Sequence, residues 1–238
     1  MDAFGRTRLL LGPEAMKKLE NSRVAVFGLG GVGGYAVEAL ARSGIGALDL
    51  IDHDTVSLSN INRQILATHS TLGLSKTEAA RRRVLDISPQ TKVTVYDTFF
   101  GPDTAQLFDF TQYDYIIDAI DTVTGKLALI ERAKATGTPI ICCLGTGNKL
   151  DATQFRITDI SRTSVCPLAR VMRKECAKRG FKQVKVLFST EEPIPSCTEE
   201  ADLSELPEGR RALPGSVAFV PSVAGLLIAG EVIKDLTK

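Results

Sequence analysis

Between Gly28 and Thr122 the chain carries side chains of the types that hold phosphates and a ribose. They begin with a glycine turn, Gly28-Leu29-Gly30-Gly31-Val32-Gly33, set between a short apolar run, Val24–Phe27, and an alanine-rich helical pattern. Gly28, Gly30, Gly31 and Gly33 divide three jobs. They let the chain turn, let the backbone approach a phosphate, and let helix and strand pack closely, while the helix start adds free N–H groups for an anion. Asp52 follows Gly33 by nineteen residues, at the end of a second apolar run. There its carboxylate can accept hydrogen bonds from ribose hydroxyls. A polar run, Ser59-Asn60-Ile61-Asn62-Arg63-Gln64, comes next. It is either a plain hydrophilic loop or a set of nucleotide contacts, and Arg63 is its strongest candidate because a guanidinium matches phosphate oxygens two at a time. Lys76 stands at the first position of a helix whose expected N-cap is Ser75, with Glu78 completing a capping-box pattern. A cation there opposes the helix dipole. A residue that breaks a local rule is a candidate for function, here for phosphate binding. Asp121, followed by Thr122, suits Mg²⁺ shared with phosphate oxygens, or equally the capping of the helix that follows.

The elements that must position these residues alternate as they do in an α/β chain. Strands are expected at Val24–Phe27, Ala47–Ile51, Lys92–Thr98, Tyr113–Ile120 and Ile140–Leu144, with helices between them, including Gly125–Thr136. Asp52 and Asp121 then share the carboxyl edge of one sheet, where open α/β sheets bind ligands. After Gly145-Thr146-Gly147-Asn148 the alternation breaks. Gln154–Asp159 and Val184–Ser189 read as an antiparallel pair around a helix from Pro167 to Arg179. The expected fold is α/β: a Rossmann-like, mostly parallel sheet with helices on both faces, extended by antiparallel strands in the C-terminal part. It forms one domain over residues 1–238. Residues 1–145 are its nucleotide-binding half, and residues 146–238 hold the extension, a mobile loop at 191–215 and a last helix, Val217–Leu236.

Composition narrows the classes. A net charge of +1 gives no global attraction to nucleic acid, so such binding needs a local patch. One candidate exists. From Arg170 to Lys185 there are seven basic residues, Arg170, Arg173, Lys174, Lys178, Arg179, Lys182 and Lys185, against one acid, Glu175. The stretch is either a charged helix face or a track for a phosphate backbone. The five cysteines are odd in number and lack CxxC spacing, which argues against disulfides and tetrahedral zinc and favours the cytoplasm. Cys142 and Cys143 lie in an apolar strand and read as core. Cys197 sits in the proline-rich loop without a neighbouring cation or histidine to activate it. No membrane span is expected, because the longest apolar stretch, Val217–Ile233, is interrupted by Pro221, Ser222 and Glu231.

Arg8, the glycine turn, Asp52, Asn60-Ile61-Asn62-Arg63-Gln64, Lys76 and Asp121 together resemble the ubiquitin-activating-enzyme-like adenylating family, over nearly the whole chain. The resemblance is strongest to its tRNA-modifying branch, which dehydrates threonylcarbamoyladenosine. It is carried by Thr7-Arg8-Leu9 with Gly12, Asp118-Ala119-Ile120-Asp121, Asp151-Ala152-Thr153-Gln154, Thr158-Asp159, Pro167-Leu168-Ala169 and Phe188-Ser189-Thr190-Glu191. It implies ATP and Mg²⁺ as cofactors, with a monovalent cation left open, and tRNA as the substrate. Asp52 would hold the ribose; Asn60, Arg63 and Lys76 the phosphates; Asp121 the metal. Arg8 would reach the triphosphate of the other subunit in a homodimer, and the basic stretch would carry the tRNA. A cysteine that the branch tends to carry before the last helix is absent near Ala212-Leu213-Pro214, which speaks against a thioester and against a sulfur-relay partner. Rival readings are an adenylyltransferase for a ubiquitin-like sulfur carrier, an NAD-dependent oxidoreductase, and a non-catalytic binding module. The first lacks its CxxC pairs, the second has no use for Arg63 or Lys76, and the third does not need the whole constellation.

Overall fold

A computed structural model describes residues 2–195 and 214–238. The strands are β1 (Arg23–Phe27), β2 (Ala47–Asp52), β3 (Lys92–Asp97), β4 (Tyr115–Asp118), β5 (Ile140–Cys143), β6 (Phe155–Asp159) and β7 (Lys185–Ser189). They form one seven-stranded sheet in the order β3-β2-β1-β4-β5-β7-β6. All neighbours are parallel except β6 and β7, which pair antiparallel from Phe155 opposite Ser189 to Asp159 opposite Lys185. The mostly parallel sheet and its antiparallel extension are as the sequence predicts. Central strands such as β4 are buried along their whole length, which is why they read as continuous apolar runs. Edge strand β3 instead alternates between exposed and half-buried residues.

Helices cover both faces. On one lie α2 (Pro13–Asn21), α3 (Gly33–Arg42), α4 (Lys76–Ile87) and α7 (Phe219–Thr237), around a core that includes Met16, Leu40, Ala80 and Ile228. On the other lie α5 (Val123–Thr136) and α6 (Pro167–Lys178), whose core includes Ile130, Met172 and an aromatic cluster in which Phe27 meets Phe100 at 4.8 Å and Phe108 at 5.4 Å. No helix among the described residues is long and apolar enough to cross a membrane.

One element is added and one local expectation changes. A further helix, α1 (Gly5–Leu11), precedes α2, and Gly12 with φ of +85° separates the two. Strand β4 stops at Asp118 and not at Ile120, because the Asp118 carboxylate accepts the Ile120 N–H at 3.2 Å and bends the chain out of the sheet. Asp121 therefore sits on a turn and not on the strand's end.

Candidate nucleotide site

The glycine turn joins β1 to α3 with almost no spare room. Gly28 has φ of +90°, and a Cβ there would lie 2.7 Å from the Ala119 carbonyl oxygen. A Cβ on Gly33 would lie 1.8 Å from the Gly28 carbonyl oxygen, so helix and strand meet only with glycine at that position. Gly30 and Gly31 face elsewhere, towards the Gln64 amide and towards Pro221 of α7. Asp52 fastens the turn to the second strand. Its Oδ2 accepts the Leu29 N–H at 2.6 Å and its Oδ1 accepts the Asp54 N–H at 2.8 Å. Each oxygen keeps a further lone pair for a ligand hydroxyl.

The polar run after β2 is an ordered structure. A short 3₁₀ turn spans Leu58–Asn60, and the buried Asn60 accepts the Ser57 N–H at 3.3 Å. One guanidinium nitrogen of Arg63, Nη1, donates to the Ser59 carbonyl and to Asn62 Oδ1, both at 2.8 Å. Gln64 is buried, and its Oε1 has no hydrogen-bond partner among the described residues. An acceptor left so beside a glycine turn is a place where a ligand donor fits. Ser75 caps α4 by accepting the Glu78 N–H, as the capping-box pattern predicts. The Lys76 side chain is only 6% exposed, and its Nζ meets Asp54 Oδ2 at 2.6 Å, while Asp54 is 49% exposed. A buried cation is thus held by a wet counter-ion.

Asp121 is exposed, on the turn between β4 and α5 at this same carboxyl edge. The N-cap position of α5 belongs to Thr122, which makes no side-chain cap bond, and Asp121 stands one residue before it. A single exposed carboxylate is a donor that suits Mg²⁺, which completes its shell with water and phosphate oxygens.

Sequence reasoning left Asp118 unassigned and missed Lys126. Both side chains are fully buried, with Lys126 Nζ 3.0 Å from Asp118 Oδ1 and 2.6 Å from the Cys143 carbonyl oxygen. Burial pushes the Asp118 carboxyl above the usual carboxylate range, against the pull of Lys126. Burial also opposes the Lys126 charge, but Asp118 beside it more than offsets this and holds Lys126 above its ordinary value. The signal was present: an acid inside the apolar run Tyr115–Asp118 needs a counter-ion, and Lys126 is the one cation in the apolar stretch Val123–Ile130. Cys142 and Cys143 lie beside this pair. Burial raises both thiols, Cys143 to about 12, so they are inert core residues, as the sequence suggests.

Other candidates are not gathered here. Arg8, on α1, pairs with Asp2 of its own chain at 2.6 Å. The basic stretch is divided. Arg170, Lys174, Lys178, Arg179 and Lys182 are exposed on α6 and just beyond it. Arg173 donates to the Thr163 carbonyl at 2.7 Å and to its hydroxyl at 2.6 Å, and Arg179 pairs with Glu175. Lys185 does not belong to this surface. It pairs with Glu231 at 2.8 Å and with Asp235, both on α7, which covers the opposite face of the sheet from α6. Cys197 and residues 212–213 lie outside the described residues.

Known proteins share this fold. A model of the ThiF family matches residues 4–238. The tRNA threonylcarbamoyladenosine dehydratase of Bacillus subtilis (strain 168) is 42% identical over 240 residues, spanning 99% of this chain and 94% of its own. That of Escherichia coli (strain K12) is 40% identical over 196 residues, 79% of this chain and 73% of its own. The crystal structure of the E. coli tRNA N6-threonylcarbamoyladenosine dehydratase in complex with ATP superposes with a TM-score of 0.87 at 35% identity, over 98% of this chain and 93% of that one.

Proposed function

The chain belongs to the ThiF family, and from that premise we propose that it is an ATP-dependent adenylating enzyme that dehydrates threonylcarbamoyladenosine in tRNA. The reading is supported by Asp52 closing β2 and bonding to the glycine turn, by Lys76 opening α4 and by Asp121 following β4, all at the carboxyl edge of the sheet, with Arg63 in the polar run that follows β2. A dinucleotide oxidoreductase has no use for the two cations. In the proposed reaction the threonyl carboxylate attacks the α-phosphate of ATP and pyrophosphate leaves. The ureido group of the same nucleoside then attacks the acyl adenylate, closing an oxazolone ring and releasing AMP. The second nucleophile is intramolecular, so proximity supplies much of the acceleration and no enzyme nucleophile is needed. Asp52 holds the ribose. Asn60, Arg63 and Lys76 hold the phosphates and stabilise charge that develops there. Asp121 would hold Mg²⁺, which would supply charge neutralisation at the phosphates.

A homodimer completes the proposal. Leu9 and Leu10 on α1 are 79% and 86% exposed beside Arg8, an apolar surface suited to a second copy. The exposed cations of α6 meet the tRNA backbone, in the cytoplasm. The test is incubation with Mg-ATP and tRNA bearing threonylcarbamoyladenosine. The expected result is loss of one water from that nucleoside with formation of AMP. An unchanged nucleoside, with pyrophosphate exchange that depends on a ubiquitin-like carrier, would replace this reading with the sulfur-carrier one.

A further inference from the structure

The loop after β5 holds a residue that touches none of the candidate ligand groups, yet the hydrogen bonds leaving it end at Arg63. Asn148 has φ of +58°, in the left-handed region that asparagine and glycine tolerate best. Its N–H donates to the Gly215 carbonyl at 2.8 Å, and its Oδ1 accepts the Gly215 N–H at 2.6 Å. Its own carbonyl accepts the Ile194 N–H at 2.9 Å. One residue thus binds two segments distant in sequence. The approach is close: a Cβ on Gly147 would lie 2.8 Å from the Pro214 Cβ. Ser216, next along the chain, accepts the Asn62 side-chain amide at 3.0 Å. Asn62 Oδ1 in turn accepts Arg63 Nη1 at 2.8 Å.

We infer that Asn148 is a positioning residue for Arg63: by pinning Gly215 it places the Ser216 carbonyl, which orients the Asn62 amide, which aims the guanidinium at the triphosphate. The inference rests on the proposed role of Arg63 at the phosphates. The amide of Asn62 is used at both ends, as donor to Ser216 and acceptor from Arg63, so its orientation is set by Ser216 and passed on. A small misplacement of a phosphate-binding group is expensive in rate, about a hundredfold for 1 Å.

The test is a double-mutant cycle on kcat/KM for ATP in the tRNA dehydration assay, with ATP affinity measured separately. Asn148→Ala is expected to lower kcat/KM by about tenfold to a hundredfold, with most of the loss in kcat and with Asn148→Asp, which keeps the acceptor, near wild type. In the Asn62→Ala background, where the route is already cut, Asn148→Ala should cost less than threefold more. Additive losses, or an Asn148→Asp variant as poor as Asn148→Ala, would overturn the inference. Where Asn148→Ala does not fold, Asn148→Gly keeps the backbone conformation and takes its place in the same cycle. Arg63→Ala separates the two levels. If it leaves ATP binding and turnover intact, the reading of the site falls. If it weakens them while the cycle is additive, the inference alone falls.

Discussion

Lys76 opens α4 and Lys126 lies in the first turn of α5, and each reaches an aspartate at or beyond the carboxyl end of the preceding strand of the pair's βα unit. The two pairs share residue types and sheet edge but not surroundings. Asp118 is wholly buried with Lys126, whereas Asp54 is 49% exposed beside Lys76. Water decides the difference. With both charges out of solvent, neither can leave without stranding the other, and the Lys126 pair locks the turn that carries Asp121. With the anion in water, Asp54 can be exchanged for an incoming phosphate at little cost. The first pair is architecture; on the proposed reading the second is a counter-ion that a phosphate replaces.

Breaking the buried pair should have the largest effect. Lys126→Met leaves a buried carboxylate without its partner and should cost about 3–5 kcal/mol of stability, read by chemical denaturation. A loss below about 1 kcal/mol would show that water reaches the pair, as it does at exposed ones. Lys76→Ala should do the reverse, lowering turnover by about a hundredfold or more while the fold persists. Near-normal turnover would remove Lys76 from the mechanism and erase the contrast. Ligand occupancy should act on the exchangeable pair alone. Mg-ATP at a hundred times its Kd should stabilise the wild-type protein by about 2.7 kcal/mol, NAD should not, and the shift should shrink in Lys76→Ala. Stabilisation by NAD instead would sink the adenylation reading.

The smallest effect belongs to a third pair, Lys185 with Asp235, at the opposite end of the sheet and intermediate in exposure. Burial works against the Asp235 charge, but bonds from Lys185, Lys238 and Tyr115 prevail and lower its pKa from 3.8 to about 2. The unfolded chain therefore binds the proton first, so this contribution is present above about pH 4 and is lost as the pH falls towards 2. Asp235→Asn should flatten the stability–pH curve in that window by less than about 1 kcal/mol. A larger change would mean that the pair behaves as a buried one.

Local pattern carried far in this chain. The turn Gly28–Gly33, the run ending at Asp52 and the cap at Ser75 were legible because each depends on residues within one or two turns of chain. The antiparallel β6–β7 pair was legible because the βα alternation stops at Gly145. Asp52, Arg63, Lys76 and Asp121 could be placed at one edge because parallel strands joined by helices end on the same side. Tertiary structure decided what depends on burial and on distant partners. Asp118 and Lys126 became a locked pair because a turn folds α5 back over the end of β4. Lys185 left the basic surface because the pleat of β7 points it at α7, some fifty residues further on. Asn148 gained its role from Gly215, which no local pattern links to it. A sequence determines periodicity and turns through near neighbours, whereas the solvent exposure of a charge depends on every element packed around it.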